Sequence, residues 1–110
     1  MGKEIANEIL RQLGGNKFIV TTGAKNFVSD GNKLRMSLPR NFSKSNRLEI
    51  SLNGLDLYDM RFYRQTGGTF DSKKYEFRPI KFVEDKTYNN ICCDQLQEIF
   101  TEHTGMYTHL

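Results

Sequence analysis

The sequence predicts an α+β fold of two layers: an antiparallel sheet of five or six strands, with an N-terminal and a C-terminal helix packed on one face. Three observations predict it. Apolar residues recur at helical spacing in the first 13 positions and again near the C-terminus. Between those segments the period changes to two, the alternation of half-buried strands. Short turns separate the alternating runs, so neighbours are antiparallel; parallel neighbours need long crossovers. With 110 residues, 37% of them apolar, the chain suffices for one core and not two. Residues 1–110 therefore read as a single domain: helix 3–14, strands within 17–85 and helix 90–104.

The first helix carries Ile5, Ile9, Leu10 and Leu13 on one stripe, and Gly14-Gly15 supplies the left-handed residue that ends it. Lys17–Thr22 is a short β-branched run between glycines and reads as a strand. Asn26–Val28 and Lys33–Leu38 flank Ser29-Asp30-Gly31-Asn32, whose Asp-Gly pair signals a hairpin. After Pro39, the polar segment Arg40–Asn46 reads as a loop. Arg47–Leu52 alternates cleanly, with Leu48, Ile50 and Leu52 inward and Arg47, Glu49 and Ser51 outward. Leu57–Gln65 continues with Tyr58, Met60 and Phe62 inward and Asp59, Arg61 and Tyr63 outward. Tyr75–Phe77 and Ile80–Phe82 alternate out of phase across Arg78-Pro79, which demands a break, a bulge or an edge. The last helix presents Ile91, Cys92, Leu96, Ile99 and Phe100, and Gly105 stands where a C-terminal glycine belongs. The tail after it is expected to pack back on the domain. The predicted core is Ile5, Ile9, Leu13, Phe18, Val20, Phe27, Leu34, Met36, Leu48, Ile50, Leu52, Tyr58, Met60, Phe62, Leu96, Ile99 and Phe100.

The net charge of +3 hides a lopsided distribution. Residues 16–50 hold seven basic and two acidic groups, and residues 84–110 hold one basic and five acidic. A basic sheet face with an aromatic among its cations suits nucleic acid, where cations take phosphates and rings take bases. Lys33, Arg35, Arg47, Arg61 and Tyr63 are the candidate contacts, with Phe42 beside them. The plainer reading is a solvated face, with Glu49, Asp59 and Glu76 available to pair with it. Asp94, Glu98 and Glu102 make an acidic ridge at helical spacing, and a water-facing stripe gives the same spacing. The turn Gly23, Lys25 and Asn26 is a candidate binding loop; returning the chain between strands explains it equally.

Catalytic and metal chemistry lack their parts. Cys93 and His103 on one helix would stand about 15 Å apart along the axis. Cys92, Cys93, His103 and His109 match no zinc spacing. Gly14–Lys17 and Gly23–Asn26 do not complete a phosphate-loop pattern, and Asp56 and Asp59 have no recognisable partners for acid–base work. The expectation is therefore a chain that is not an enzyme and carries no cofactor or metal. Adjacent Cys92 and Cys93 are not expected to bridge, which fits a reducing compartment. No apolar run approaches the roughly 20 residues of a membrane span, and Met1-Gly2-Lys3-Glu4, without an apolar stretch, is not expected to open a signal peptide. A cytoplasmic location and no membrane partner are expected.

Three stretches, Leu13–Phe27 (LGGNKFIVTTGAKNF), Leu48–Phe62 (LEISLNGLDLYDMRF) and Asp94–Leu110 (DQLQEIFTEHTGMYTHL), resemble a family of small proteins from bacteriophages, prophages and other mobile elements. The resemblance covers most of the chain and assigns no residue a role. It implies an accessory protein acting in the cytoplasm of a bacterial host. In that context the function expected is a non-enzymatic protein-interaction module whose partner is a host or phage protein, an inhibitor of a host system being one form. The alternative is a weakly sequence-specific nucleic-acid binder using the basic sheet face. A homodimer through the partly apolar edge near Tyr75–Phe82 is a further expectation.

Overall fold

The computed structural model describes residues 2–68 and 70–106. The chain runs through helices α1 (Gly2–Leu13) and α2 (Asn16–Thr22), strands β1 (Lys25–Asp30), β2 (Lys33–Ser37), β3 (Arg47–Leu52) and β4 (Tyr58–Thr66), the two-residue strands β5 (Phe70–Asp71) and β6 (Glu76–Phe77), then β7 (Lys81–Ile91), a 3-10 turn (Cys93–Gln95) and helix α3 (Leu96–Thr104). Five strands form one antiparallel sheet in the order β1-β2-β3-β4-β7. The expected α+β class and antiparallel sheet are both present. β5 and β6 pair with each other, outside that sheet.

The core lies between the sheet and the helices. Ala6, Ile9 and Leu13 from α1, Leu34, Met36, Leu48, Ile50, Met60 and Phe62 from the strands, and Leu96 and Phe100 from α3 are buried together. Phe100 sits at the centre, edge-on to Phe18 at 5.0 Å and tilted against Phe62 at 6.5 Å. Ile5, Phe27, Leu52 and Ile99 pack at its margin, half buried.

Three expectations are corrected. Lys17–Thr22 is not a strand but most of α2. Gly15 (φ 62°) precedes it and Gly23 (φ 76°) closes it, the Gly23 N–H bonding to the Ile19 carbonyl. Thr22 Oγ1 bonds back to the Phe18 carbonyl, so the run satisfies its polar groups locally. Phe18 and Thr22 are buried at helical spacing, whereas Val20, placed in the core by alternation, is 79% exposed. Second, the last helix begins at Leu96 and not at residue 90, because β7 continues to Ile91. Ile91 is still buried, from a strand end, but Cys92 is exposed and not a core residue. Third, Tyr63 alternates outward yet is 5% exposed, covered by Arg61 and Phe82. The break expected at Arg78-Pro79 is there, between β6 and β7. The tail after Met106, with His109, lies outside the described residues.

The fold is longer than a sphere of its size, 48 × 31 × 23 Å. Its radius of gyration of 14.8 Å exceeds the roughly 13 Å usual for this length. Beyond the paired ends Thr66 and Lys81, the chain makes a small hairpin of its own, β5 and β6. The described residues of 67–83, which are this hairpin and the first three residues of β7, still paired with β4, are called the arm below.

Candidate functional site

The predicted cationic residues do share one face, the side of the sheet away from the helices. Register sets Arg35 opposite Glu49 and Glu49 opposite Arg61, with Arg47 opposite Tyr63. Glu49 is the hub. Its carboxylate is 3.1 Å from Lys33 Nζ, 3.1 Å from Arg61 Nη1 and 3.9 Å from Arg35 Nε. Arg35 also holds Asp30 at 3.1 Å, and Arg61 also binds Glu84. Burial raises the Glu49 pKa, but the Lys33 hydrogen bond and the charges of Lys33, Arg35 and Arg61 outweigh it and hold the group below its ordinary value. The Arg61 guanidinium lies over the Tyr63 ring at 4.4 Å, so that ring offers no free stacking face on this side. Three cations and three carboxylates thus form one ladder of zero net charge. Of the predicted cations, Arg47 alone stands outside it, donating to the Asn46 carbonyl. Alternation in the sequence put these cations on one face; which carboxylates lie among them came from strand register and from a β7 residue, Glu84.

The candidate loop is a short connection, Gly23-Ala24, between α2 and β1. Gly23 caps α2, and Lys25 and Asn26 open β1, where Lys25 pairs with Ser37. Asn26 takes a left-handed conformation (φ 57°), and its side-chain amide donates to Ser37 Oγ at 3.3 Å. The register of β1 shifts here, which consumes this unusual backbone locally.

A polar cluster that the sequence did not announce joins three distant segments. The β7 register skips Asp85, because Phe62 pairs with Lys86 and Tyr63 with Glu84. This bulge frees Asp85 to reach Ser45 Oγ at 2.6 Å and His103 Nε2 at 3.0 Å. The ring of His103 stacks on Phe62 at 4.0 Å, and its Nδ1 faces the Tyr88 hydroxyl at 3.4 Å. The residue types are those of a hydrolase triad, but the connections differ. Ser45 Oγ lies 3.3 Å from His103 Nε2 but donates to Asp85, and Asp85 meets that same Nε2 instead of Nδ1, which faces Tyr88. Ser45 is also 3% exposed. The cluster works as a clasp that fixes the Arg40–Asn46 loop to β7 and α3. Among the described residues no group of His, Cys, Asp and Glu is arranged to hold a metal ion, and no helix is long and apolar enough to cross a membrane.

The arm is the opposite of the ladder: its apolar side chains lack cover. Phe70, Tyr75, Phe77, Ile80, Phe82 and Val83 are each 51–84% exposed. Phe70 and Tyr75 touch each other edge-on at 6.3 Å, and Phe82 touches Tyr63 at 5.7 Å. Arm residues 67–83 also carry four basic and two acidic side chains. The phase conflict across Arg78-Pro79 was the trace of this element in the sequence. Its lack of cover was not visible there, since alternation implies a buried side. Compared with known protein families, with curated proteins and with solved structures, the chain matches none.

Proposed function

We propose that this chain is a non-enzymatic protein-interaction module whose contact element is the arm, acting, as its phage-type resemblance implies, on a protein of a bacterial host or of the mobile element itself. One observation carries the reading: six large apolar side chains stand exposed within residues 70–83. Burying such a side chain is worth about 1.5–3 kcal/mol, so six uncovered within one short stretch make the arm suited to a partner. The excess of basic over acidic residues on the arm favours a partner whose apolar groove has an acidic rim. The sheet face is less suited to nucleic acid than its sequence implied, because Glu49 and Glu84 neutralise the cations there.

The test is site-specific photocrosslinking in bacterial lysate, with the photoreactive residue placed at Phe77, at Phe82 or, as a control, at exposed Leu55. The expected result is one protein adduct formed from the arm positions and not from position 55, lost when Phe70 and Tyr75 are changed to Ser. An adduct only with a second copy makes the arm a dimerisation element instead. Absence of arm adducts, together with salt-sensitive oligonucleotide binding, overturns the reading in favour of nucleic acid.

A further inference from the structure

A second surface, adjoining the arm where Arg64 pairs with Val83, is built around the loop that the clasp holds. Asn41 is the internal brace of this loop. Its amide nitrogen donates to the carbonyls of Pro39 and Ser45 at 2.8 and 3.0 Å, and its oxygen accepts from the Ser43 N–H at 2.8 Å and from the Ser43 hydroxyl. Outside bonds fix both flanks. Phe42 N–H reaches the Thr104 carbonyl, and Asn46 exchanges hydrogen bonds with Tyr63 and Gln65 of β4. The loop is therefore set before any ligand arrives, which lowers the entropic cost of binding.

What this rigid loop presents is charge without counter-charge. Arg40, Lys44 and Arg64 line a cleft of about 710 Å³, with Ser43 and Asn46 between them. Among the described residues none of these three cations has a carboxylate within ion-pair distance. Arg64 is steadied by donating to the Lys44 carbonyl. The nearby carboxylate of Asp85 is turned to the clasp, where it meets Ser45 and His103. On the sheet face Lys33, Arg35 and Arg61 are paired by carboxylates, whereas Arg40, Lys44 and Arg64 converge on one cleft without such a partner, an arrangement suited to an anion from outside.

Directly beside this cleft lies a second, of about 380 Å³, that shares Arg40 and Asn41 and adds Phe42 and Met106. The Phe42 ring is 92% exposed. Its edge lies beside Gly105, where an added Cβ would come within 2.1 Å of Cδ2. A flat aromatic face next to a three-cation cleft is the pair of features that a phosphorylated, ring-bearing molecule requires.

We propose that the two clefts are one binding site for a small ligand of the nucleotide class, its phosphates held by Arg40, Lys44 and Arg64 and its base stacked on Phe42. Because the chain contains no Trp, Phe42→Trp keeps the platform and installs a single fluorescent reporter. Titration of that variant with a nucleoside triphosphate should quench its emission with saturation below about 1 mM. The nucleoside alone and inorganic phosphate should each bind at least roughly tenfold more weakly, since each engages only half the site. Adding Arg40→Ala and Arg64→Ala should weaken the triphosphate by roughly tenfold or more, with an unchanged circular dichroism spectrum. In the unmodified protein, followed by calorimetry, Phe42→Ala should cost about tenfold. Saturable binding that ignores all three substitutions overturns the site. Equal affinity for phosphate and triphosphate overturns the role of Phe42, and an oligonucleotide that binds where the mononucleotide does not makes the surface a strand site.

Discussion

Glu49 on β3 and Arg61 on β4 stand directly opposite each other, carboxylate oxygen to guanidinium nitrogen at 3.1 Å, and Glu49 is the better buried of the two. With Lys33 on the same carboxylate, this pair sets the electrostatics of the whole outer face. Replacing Glu49 by Gln should therefore do two things at once. It should cost about 1–3 kcal/mol in urea unfolding, the usual range for removing a charged hydrogen-bonding partner. It should also raise affinity for single-stranded oligonucleotides in salt-dependent anisotropy, because Lys33, Arg35 and Arg61 lose their shared counter-charge. Unchanged stability would mean that the ladder contributes nothing in solution.

The carboxylates of the ladder and of the clasp predict the acid limit of the fold. Glu49 is held below its ordinary value by Lys33, Arg35 and Arg61 against the opposing effect of burial. Asp85 is lowered by its Ser45 hydrogen bond first, against burial, and by His103. A depressed folded-state pKa adds stability that is complete above the unfolded values, about 4.3 for Glu and 3.9 for Asp, and is lost as pH falls through the lower folded values. Urea midpoints should decline below about pH 4.3. The slope should be shallower in the double variant Glu49→Gln, Asp85→Asn; parallel curves for both proteins would refute the assignment.

The clasp itself is testable by removing one hydroxyl. Ser45→Ala leaves Asp85 and His103 paired but removes the hydroxyl link between the loop and β7, leaving the Lys44 backbone bond to Asp85. A loss of about 1–2 kcal/mol is expected, with faster amide exchange across residues 39–46 than across β3. Exchange that rises equally throughout the domain would show that the loop is held by other means.

Helix α2 carries a prediction of sign. Val20 is exposed on a helix, so Val20→Ala should be neutral or stabilise by about 0.5 kcal/mol through helix propensity. In a core strand the same change would cost on the order of 1–2 kcal/mol, from lost burial and a cavity. Phe18→Ala, by contrast, should cost about 3–5 kcal/mol, since Phe18 is fully buried against Phe100.

Gly67 closes the base of the arm at φ +86°, and a Cβ there would lie 1.9 Å from the Pro79 carbonyl oxygen. Gly67→Ala should open the arm without melting the core. Hydrogen exchange should accelerate in peptides covering 66–83 while those covering β2 and β3 stay protected, and arm crosslinks should be lost. Retained protection in the arm would show that its backbone tolerates the strain.

Residue spacing along the chain predicts α1, the β1–β2 hairpin, the bounds and faces of β3 and the inward set of β4. In each, the spacing of apolar residues and a turn glycine act within a few positions, so neighbours along the chain suffice. It also placed Lys33, Arg35, Arg47 and Arg61 on one face. The remaining features depend on packing between distant segments. Lys17–Thr22 has the composition of a strand, yet becomes helical between two left-handed glycines, where Phe18 meets Phe100 and Thr22 is buried with it. Local propensity differs by tenths of a kcal/mol per residue, whereas burying one phenylalanine is worth about 2 kcal/mol. The same holds for function. Glu84 in the ladder, Asp85 on Ser45 and Arg64 beside Lys44 are contacts across 20 to 40 residues of chain. Only strand register and a single bulge bring those partners together, and no local pattern encodes either.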